Sequence, residues 1–134
     1  MASPPKNHRI LYVEDHVDTV EMVTLMLEGA GFNVSSRRTI AEGVTAASQE
    51  KFDLYLIDLW LPDGSGMELC KKIREFDSAT PIAFYSAAAY EGDKEAALES
   101  GAQAYLIKPT DSLSMVESLL HLIGRVGNGN DGKR

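Results

Sequence analysis

Four short apolar runs of this chain each lead into residues able to do chemistry. Ile10-Leu11-Tyr12-Val13 is followed by Glu14-Asp15, Leu54-Tyr55-Leu56-Ile57 by Asp58, Ile82-Ala83-Phe84-Tyr85 by Ser86, and Ala104-Tyr105-Leu106-Ile107 by Lys108-Pro109. If the fold gathers these ends, three carboxylates, one hydroxyl and one ammonium share a small volume. Two like charges about 4 Å apart repel by about 4 kcal/mol at an effective dielectric near ~20, so such a cluster calls for a cation. Oxygen donors that leave part of the coordination shell to water suit Mg²⁺, with Mn²⁺ as the alternative. Such ions bind a carboxylate or two and keep waters for phosphate oxygens.

Taken singly, each residue has a plainer explanation. Glu14 and Asp15 can cap a helix, Asp58 can solvate the end of a strand, Ser86 can be a loop hydroxyl, and Lys108 can be an exposed residue before a turn. The coincidence of position favours chemistry: all of them close strands at the edge where one kind of fold binds its ligands. The remaining candidates carry less. Cys70 lies on the inner face of an expected helix without a flanking base and reads as a buried, inert thiol. His8, His16 and His121 lack metal-ligand spacing and are expected in solvent, His16 being a minor candidate for tuning the acidic pair. Gly64-Ser65-Gly66 matches no phosphate-cradling loop and reads as the turn that launches a helix.

The elements that must position these residues follow from periodicity. After the first run, Val20, Val23, Leu27 and Ala30 recur at helical spacing until Gly31 stops them. Phe32 to Ser36 is a weaker second strand, and Thr39-x-x-Glu42 is a capping-box signature before Ile40, Val44 and Ala47. Leu54 to Ile57 is apolar without alternation, as in a central strand covered on both faces. Leu69, Cys70, Ile73 and Phe76 mark a third helix, and Glu91 to Ser100 a short Ala-rich fourth that ends at Gly101. Asp111 is the expected N-cap of a last helix with Leu113, Val116, Leu120 and Ile123 inward. Alternating strands and helices require crossover connections, hence a doubly wound α/β domain with a five-stranded parallel sheet and helices on both faces.

Composition sets the remaining bounds. The chain has 134 residues and a formal net charge of −7, which suits one domain with a core of its own. Its basic residues Arg125, Lys133 and Arg134 are opposed in the tail only by Asp131, so the body is more acidic still and would repel a nucleic-acid backbone. The lone Cys70 rules out an intrachain disulfide and favours a reducing, cytoplasmic setting. No apolar run reaches the ~18 residues of a membrane span, and Met1 to Lys6 hold no signal-type apolar stretch. Residues 1–6 and 125–134 are expected to be flexible termini.

The ordered set Ile10 to Asp15, Asp58-Leu59-Trp60-Leu61-Pro62-Asp63-Gly64-Ser65-Gly66-Met67-Glu68, Ser86-Ala87 and Lys108-Pro109 resembles the receiver (response regulator) domain of two-component phosphorelays. The resemblance spans residues 7–124. It implies the flavodoxin-like strand order 2-1-3-4-5, with Asp58 as acceptor of a phosphoryl group from a sensor histidine kinase or a histidine phosphotransfer protein. Glu14, Asp15, Asp58 and the backbone carbonyl of Trp60 would hold Mg²⁺. It further implies Lys108 as the partner of a phosphate oxygen, Ser86 and Tyr105 as the switch pair, and a cis Lys108-Pro109 peptide. Such a domain is a phosphorylation-regulated signalling module, an enzyme only toward its own phosphorylation and dephosphorylation. It controls an output protein that this sequence does not identify, with no direct nucleic-acid or membrane role, as a monomer or weak dimer. As given, the chain reads as a stand-alone receiver or one cut from a hybrid kinase or longer regulator.

Two positions depart from the commoner pattern. Trp60, two residues after Asp58, is large where small, polar or Met residues often stand, and Ala88, two after Ser86, cannot hold a water. Slow self-dephosphorylation is the expectation. Three other readings compete. A non-phosphorylated scaffold would have lost a site residue, and none is missing. A flavin protein would need a phosphate-friendly loop where Glu14-Asp15 stands. A haloacid-dehalogenase-type phosphatase would carry a DxD pair that the chain lacks.

Overall fold

The computed structural model describes residues 8–87 and 91–129. Five strands, β1 (Arg9–Val13), β2 (Asn33–Arg37), β3 (Leu54–Ile57), β4 (Ile82–Ser86) and β5 (Ala104–Ile107), alternate with α1 (Val17–Gly29), α2 (Ile40–Gln49), α3 (Gly66–Arg74), α4 (Glu91–Glu99) and α5 (Ser112–Gly129). All pairings within this five-stranded sheet are parallel, in the order β2-β1-β3-β4-β5. This is the doubly wound order expected from the alternation and the resemblance. Val13 pairs with Ile57, Ile57 with Phe84, and Ser86 with Ile107. β1 and β3 therefore end level, at Val13 and Ile57, and β4 and β5 run two residues further, to Ser86 and Ile107, so the residues just beyond all four strands lie at one edge.

Side-chain alternation divides the core. Ile10 and Tyr12 of β1 face α1 (Val23, Leu27) and α5 (Met115, Leu119, Leu122). Leu11 and Val13 face α2 (Ile40, Ala46, Ala47) and α3 (Leu69, Cys70, Ile73), with Ala97 of α4 in the same layer. β3 is buried at every position, as its unbroken apolar run requires. The α1 stop is a Schellman turn: Phe32 N–H donates to Leu27 O (3.1 Å) and Gly31 N–H to Glu28 O (3.0 Å), with Gly31 at φ 103°.

Four local expectations are revised. At α2, the Thr39 hydroxyl accepts from Glu42 N–H at 3.0 Å, but Glu42 reaches Arg38 N–H instead of completing the box on Thr39. The complete capping box stands at α3, between Ser65 and Glu68. Phe76 lies past the end of α3 and is 48% exposed. On α5 the fully buried set is Met115, Leu119 and Leu122. Val116, Leu120 and Ile123 are half-buried, and Leu113 is 67% exposed. Both triplets satisfy i, i+4, i+7 and differ by one position, roughly 100° around the helix, so spacing alone could not choose between them. α5 also continues past Gly124 to Gly129, within the segment expected to be flexible.

A two-stranded antiparallel ribbon, Trp60–Leu61 with Gly64–Ser65, connects β3 to α3. Asp63 at its turn accepts from the N–H groups of Ile40 (2.9 Å) and Ala41 (3.2 Å). It thereby covers the start of α2 with a carboxylate, where unpaired N–H groups and the helix dipole favour one. The Ile40 bond is the main cause holding the Asp63 pKa below the usual carboxylate range.

Candidate functional site

Glu14, Asp15 and Asp58 offer carboxylate oxygens that all lie within 4.8 Å of one another. Backbone bonds fix two of them: Glu14 N–H donates to Arg37 O and Asp58 N–H to Val13 O, each at 2.9 Å. These bonds extend the β1–β2 and β3–β1 ladders one residue past the strands. Glu14 is 1% exposed and Asp58 8%, while Asp15 is half-buried. Burying such anions needs paired charge.

Lys108 supplies it. Its Nζ lies 2.5 Å from Glu14 Oε1 and 3.8 Å from Asp58 Oδ1, and 5.5 Å above the Tyr85 ring. One cation among three carboxylates leaves net negative charge. Burial, then repulsion from Glu14, raises the Asp58 carboxyl to about 6 against the opposing pull of Lys108. All-oxygen donors with uncompensated charge fit a hard divalent cation.

Ser86 ends β4, is 1% exposed, and its backbone carbonyl accepts from Lys108 N–H at 2.8 Å. Tyr105 is half-buried, its ring 6.2 Å from Phe84. Burial raises its phenol pKa, and a hydrogen bond with Ser86 works in the other direction. The Lys108-Pro109 peptide is cis. Trp60 is 58% exposed on the ribbon, and Ala88 lies outside the described residues.

Three residues near the site carry roles that sequence reasoning missed. His16 caps α1: its Nδ1 accepts from Thr19 N–H at 3.3 Å, while its own N–H donates to Glu14 Oε2 at 3.1 Å. It orients a carboxylate through its backbone, which no side-chain pattern reveals. Gly66 N–H donates to Leu59 O at 2.6 Å, and a Cβ there would stand 2.2 Å from Asp58 O. Tyr12 places a fully buried hydroxyl beneath Glu14's strand end. Its position in an apolar strand was legible, but the direction of its hydroxyl was not. The other sequence candidates lie elsewhere: Cys70 is buried, its thiol donating to Ser100 O at 3.4 Å with burial raising its pKa. His121 is exposed, whereas His8 is half-buried against Phe32.

Fold and site together define a doubly wound domain with a buried acidic cluster and a lysine at the carboxyl edge of its sheet, the place where such sheets bind ligands. Residues 10–120 match the family model of the response regulator receiver domain. The chain is 41% identical over 100 residues to the KDP operon transcriptional regulatory protein KdpE of Escherichia coli, covering 75% of this chain and 44% of that protein. It is 37% identical over 112 residues to the response regulator ArlR of Staphylococcus aureus, covering 84% and 49%. It thus spans about half the length of these curated relatives. Among solved structures, a CheY-like receiver domain protein of Methanospirillum hungatei aligns with TM-score 0.86 at 27% identity, covering 90% of this chain and 97% of that one. The receiver domain of the Pseudomonas aeruginosa sensor histidine kinase PA1611, solved with magnesium coordinated in its active-site cleft, aligns with TM-score 0.83 at 29% identity, covering 88% and 98%. The chain belongs to the response regulator receiver domain family. No helix among the described residues is long and apolar enough to cross a membrane.

Proposed function

We propose that Asp58 accepts a phosphoryl group from a phosphohistidine of a sensor histidine kinase or phosphotransfer protein, and that the domain then controls an output partner. The observation that carries this is the convergence of Glu14, Asp15 and Asp58 within 4.8 Å, with Lys108 Nζ between Glu14 and Asp58. In the transfer, an Asp58 carboxylate oxygen forms the new O–P bond as the N–P bond to histidine breaks; the bonding pair stays on that histidine nitrogen, and the proton carried by the ring's other nitrogen lets it leave as neutral imidazole. Mg²⁺, or Mn²⁺, held by Glu14, Asp15, Asp58 and the Trp60 carbonyl, would supply charge neutralisation for the phosphoryl oxygens. Lys108 supplies a fixed positive charge for a phosphoryl oxygen, having only to shift from Glu14. The domain would act as a catalyst toward its own phosphorylation and dephosphorylation only.

The phosphorylated Asp58 carries roughly −2 charge and three acceptor oxygens. Ser86, at the end of β4, is the buried hydroxyl placed to donate to them, and Tyr105 on the paired strand β5 is the side chain that answers its movement. Ser86 and Tyr105 are thus the switch pair of a two-state equilibrium that phosphorylation biases.

Titration of Mg²⁺ followed by beryllofluoride, read through the fluorescence of Trp60, tests the reading, with acetyl phosphate labelling and mass spectrometry alongside. A saturable second response and a phosphoryl adduct, both lost in Asp58→Asn, are expected. Absence of both from the wild-type protein makes the scaffold reading the better one. Trp60→Asn is expected to speed loss of the phosphoryl group by roughly tenfold or more, because an amide at that position can orient the attacking water and an indole cannot. Equal decay rates in the two proteins would remove Trp60 from the account.

A further inference from the structure

The segment from Asp58 to Gly66 leaves the sheet and returns to it. Asp58 N–H donates to Val13 O at 2.9 Å, and Gly66 N–H closes the segment on Leu59 O at 2.6 Å. Between these points the chain forms the ribbon of Trp60–Leu61 and Gly64–Ser65, two residues on each side. A two-stranded ribbon this short does not hold its own shape in water. The Trp60 side chain does little to anchor it, being 58% exposed, whereas Leu61 is buried. Yet this backbone carries the carbonyl of Trp60, proposed above as a metal ligand.

The ribbon is fastened at its turn. Asp63 Oδ1 accepts from Ile40 N–H at 2.9 Å and Asp63 Oδ2 from Ala41 N–H at 3.2 Å, 23 and 22 residues away in the chain. Both carboxylate oxygens are used, so the attachment has two points and resists rotation. A Cβ on the neighbouring Gly64 would stand 3.0 Å from Ile40 Cδ1, which shows how closely the turn is seated on the start of α2. That start is itself tied to the acidic cluster, because Arg37, three residues before Ile40, accepts from Glu14 N–H through its carbonyl at 2.9 Å. Asp63 therefore joins the segment that carries Trp60 to the segment that holds Glu14. Capping alone does not require this arrangement: helices are usually capped from the adjoining residue, and α2 has such a cap in Thr39, which accepts from Glu42 N–H at 3.0 Å.

We infer that Asp63 is a positioning residue of the metal site, whose two bonds to α2 set the Trp60 carbonyl in place relative to Glu14 before the cation arrives. The inference rests on the metal-binding reading above. A ligand ordered beforehand costs less to immobilise at binding, so the tether raises affinity without touching the ion.

Asp63→Ala breaks both bonds, and Asp63→Asn keeps one acceptor oxygen. Thr39→Ala is the control, since it removes a cap of α2 and leaves the ribbon tethered. Calorimetric titration with Mg²⁺ is expected to show an affinity about tenfold lower in Asp63→Ala, the low end of what a metal site loses with an outer partner, and about threefold lower in Asp63→Asn. Thr39→Ala should lower the melting temperature by roughly 3–6 °C and leave Mg²⁺ affinity unchanged. In the metal-free proteins, amide hydrogen exchange over residues 60–65 should quicken in Asp63→Ala and not in Thr39→Ala. Mg²⁺ affinity in Asp63→Ala indistinguishable from wild type would overturn the inference. So would equal weakening by Thr39→Ala, because the loss would then follow the stability of α2 and not the tether. If Asp63→Ala does not fold, Asp63→Asn decides, with unaltered affinity as the overturning result. A wild-type protein that binds no Mg²⁺ removes the metal-site reading and this inference with it, whereas binding that is the same in wild type and variants removes the inference alone.

Discussion

Asp58→Asn is expected to stabilise the metal-free protein near about pH 7, by an amount on the order of 3 kcal/mol, while abolishing phosphoryl acceptance. The folded-state carboxyl of Asp58 is raised from the ordinary 3.8 to about 6, first by burial and then by Glu14. Each unit of such a shift corresponds to about 1.4 kcal/mol. A carboxyl with a raised folded pKa binds its proton more tightly in the native state. The stability linked to that proton is fully present below about pH 4 and is lost as pH rises through about 6. The amide carries no charge to repel Glu14, so the gain should appear at about pH 7 and vanish near about pH 4. Denaturant unfolding at the two pH values, without divalent metal, checks this. A variant less stable than wild type at both would show that the 3.8 Å approach of Lys108 outweighs the repulsion. Bound cation should reverse the ranking, since it favours the ionised form that only Asp58 can adopt.

Gly66→Ala should produce the opposite result: a loss of ~2–3 kcal/mol and a fall in melting temperature of roughly 6–12 °C. Helix propensity alone predicts a gain, because Ala is better than Gly in a helix by about 1 kcal/mol. Steric contact decides the sign. The added Cβ would lie 2.2 Å from the backbone oxygen of Asp58, 2.9 Å from Ile57 Cγ2 and 3.1 Å from Phe84 Cε1. A backbone carbonyl in the central strand's continuation cannot swing aside as a flexible side chain would. The clash therefore moves α3 or the phosphoacceptor peptide, and Mg²⁺ affinity should weaken together with stability. Gly124→Ala in α5, where nothing stands within 4 Å, is the matched control and should stabilise by about 1 kcal/mol. Thermal melts of the two variants settle the comparison; equal effects would mean that propensity, not contact, governs both.

Much of this was legible in the chain before any coordinates, for identifiable reasons. The unbroken apolar run Leu54 to Ile57 has to be covered on both faces, so β3 is central. Strand-helix alternation forces parallel pairing, and parallel pairing puts Glu14, Asp58, Ser86 and Lys108 at one edge. Where two patterns tie, as on α5, period alone fails, and burial of Met115, Leu119 and Leu122 is chosen by what α1 and the sheet present. The capping boxes show the same limit. Thr39-x-x-Glu42 and Ser65-x-x-Glu68 have the same signature, yet only the second closes on itself, because Glu42 finds the Arg38 N–H.

The sequence by itself determined the residue types, their order and the layers they occupy, because hydrophobic period and crossover connections are local and nearly context-free. Only the tertiary structure decided distances and partners. Lys108 is 94 residues from Glu14 in the chain yet 2.5 Å from it in the fold. The Gly66 position that a Cβ would fill is bounded by Asp58, eight residues earlier in the chain and outside α3. Each of these arises where two segments that do not see each other in sequence are pressed together by a shared core. Side-chain charge and hydrogen bonding at such contacts depend on tenths of an ångström and on the exclusion of water, neither of which a one-dimensional pattern contains.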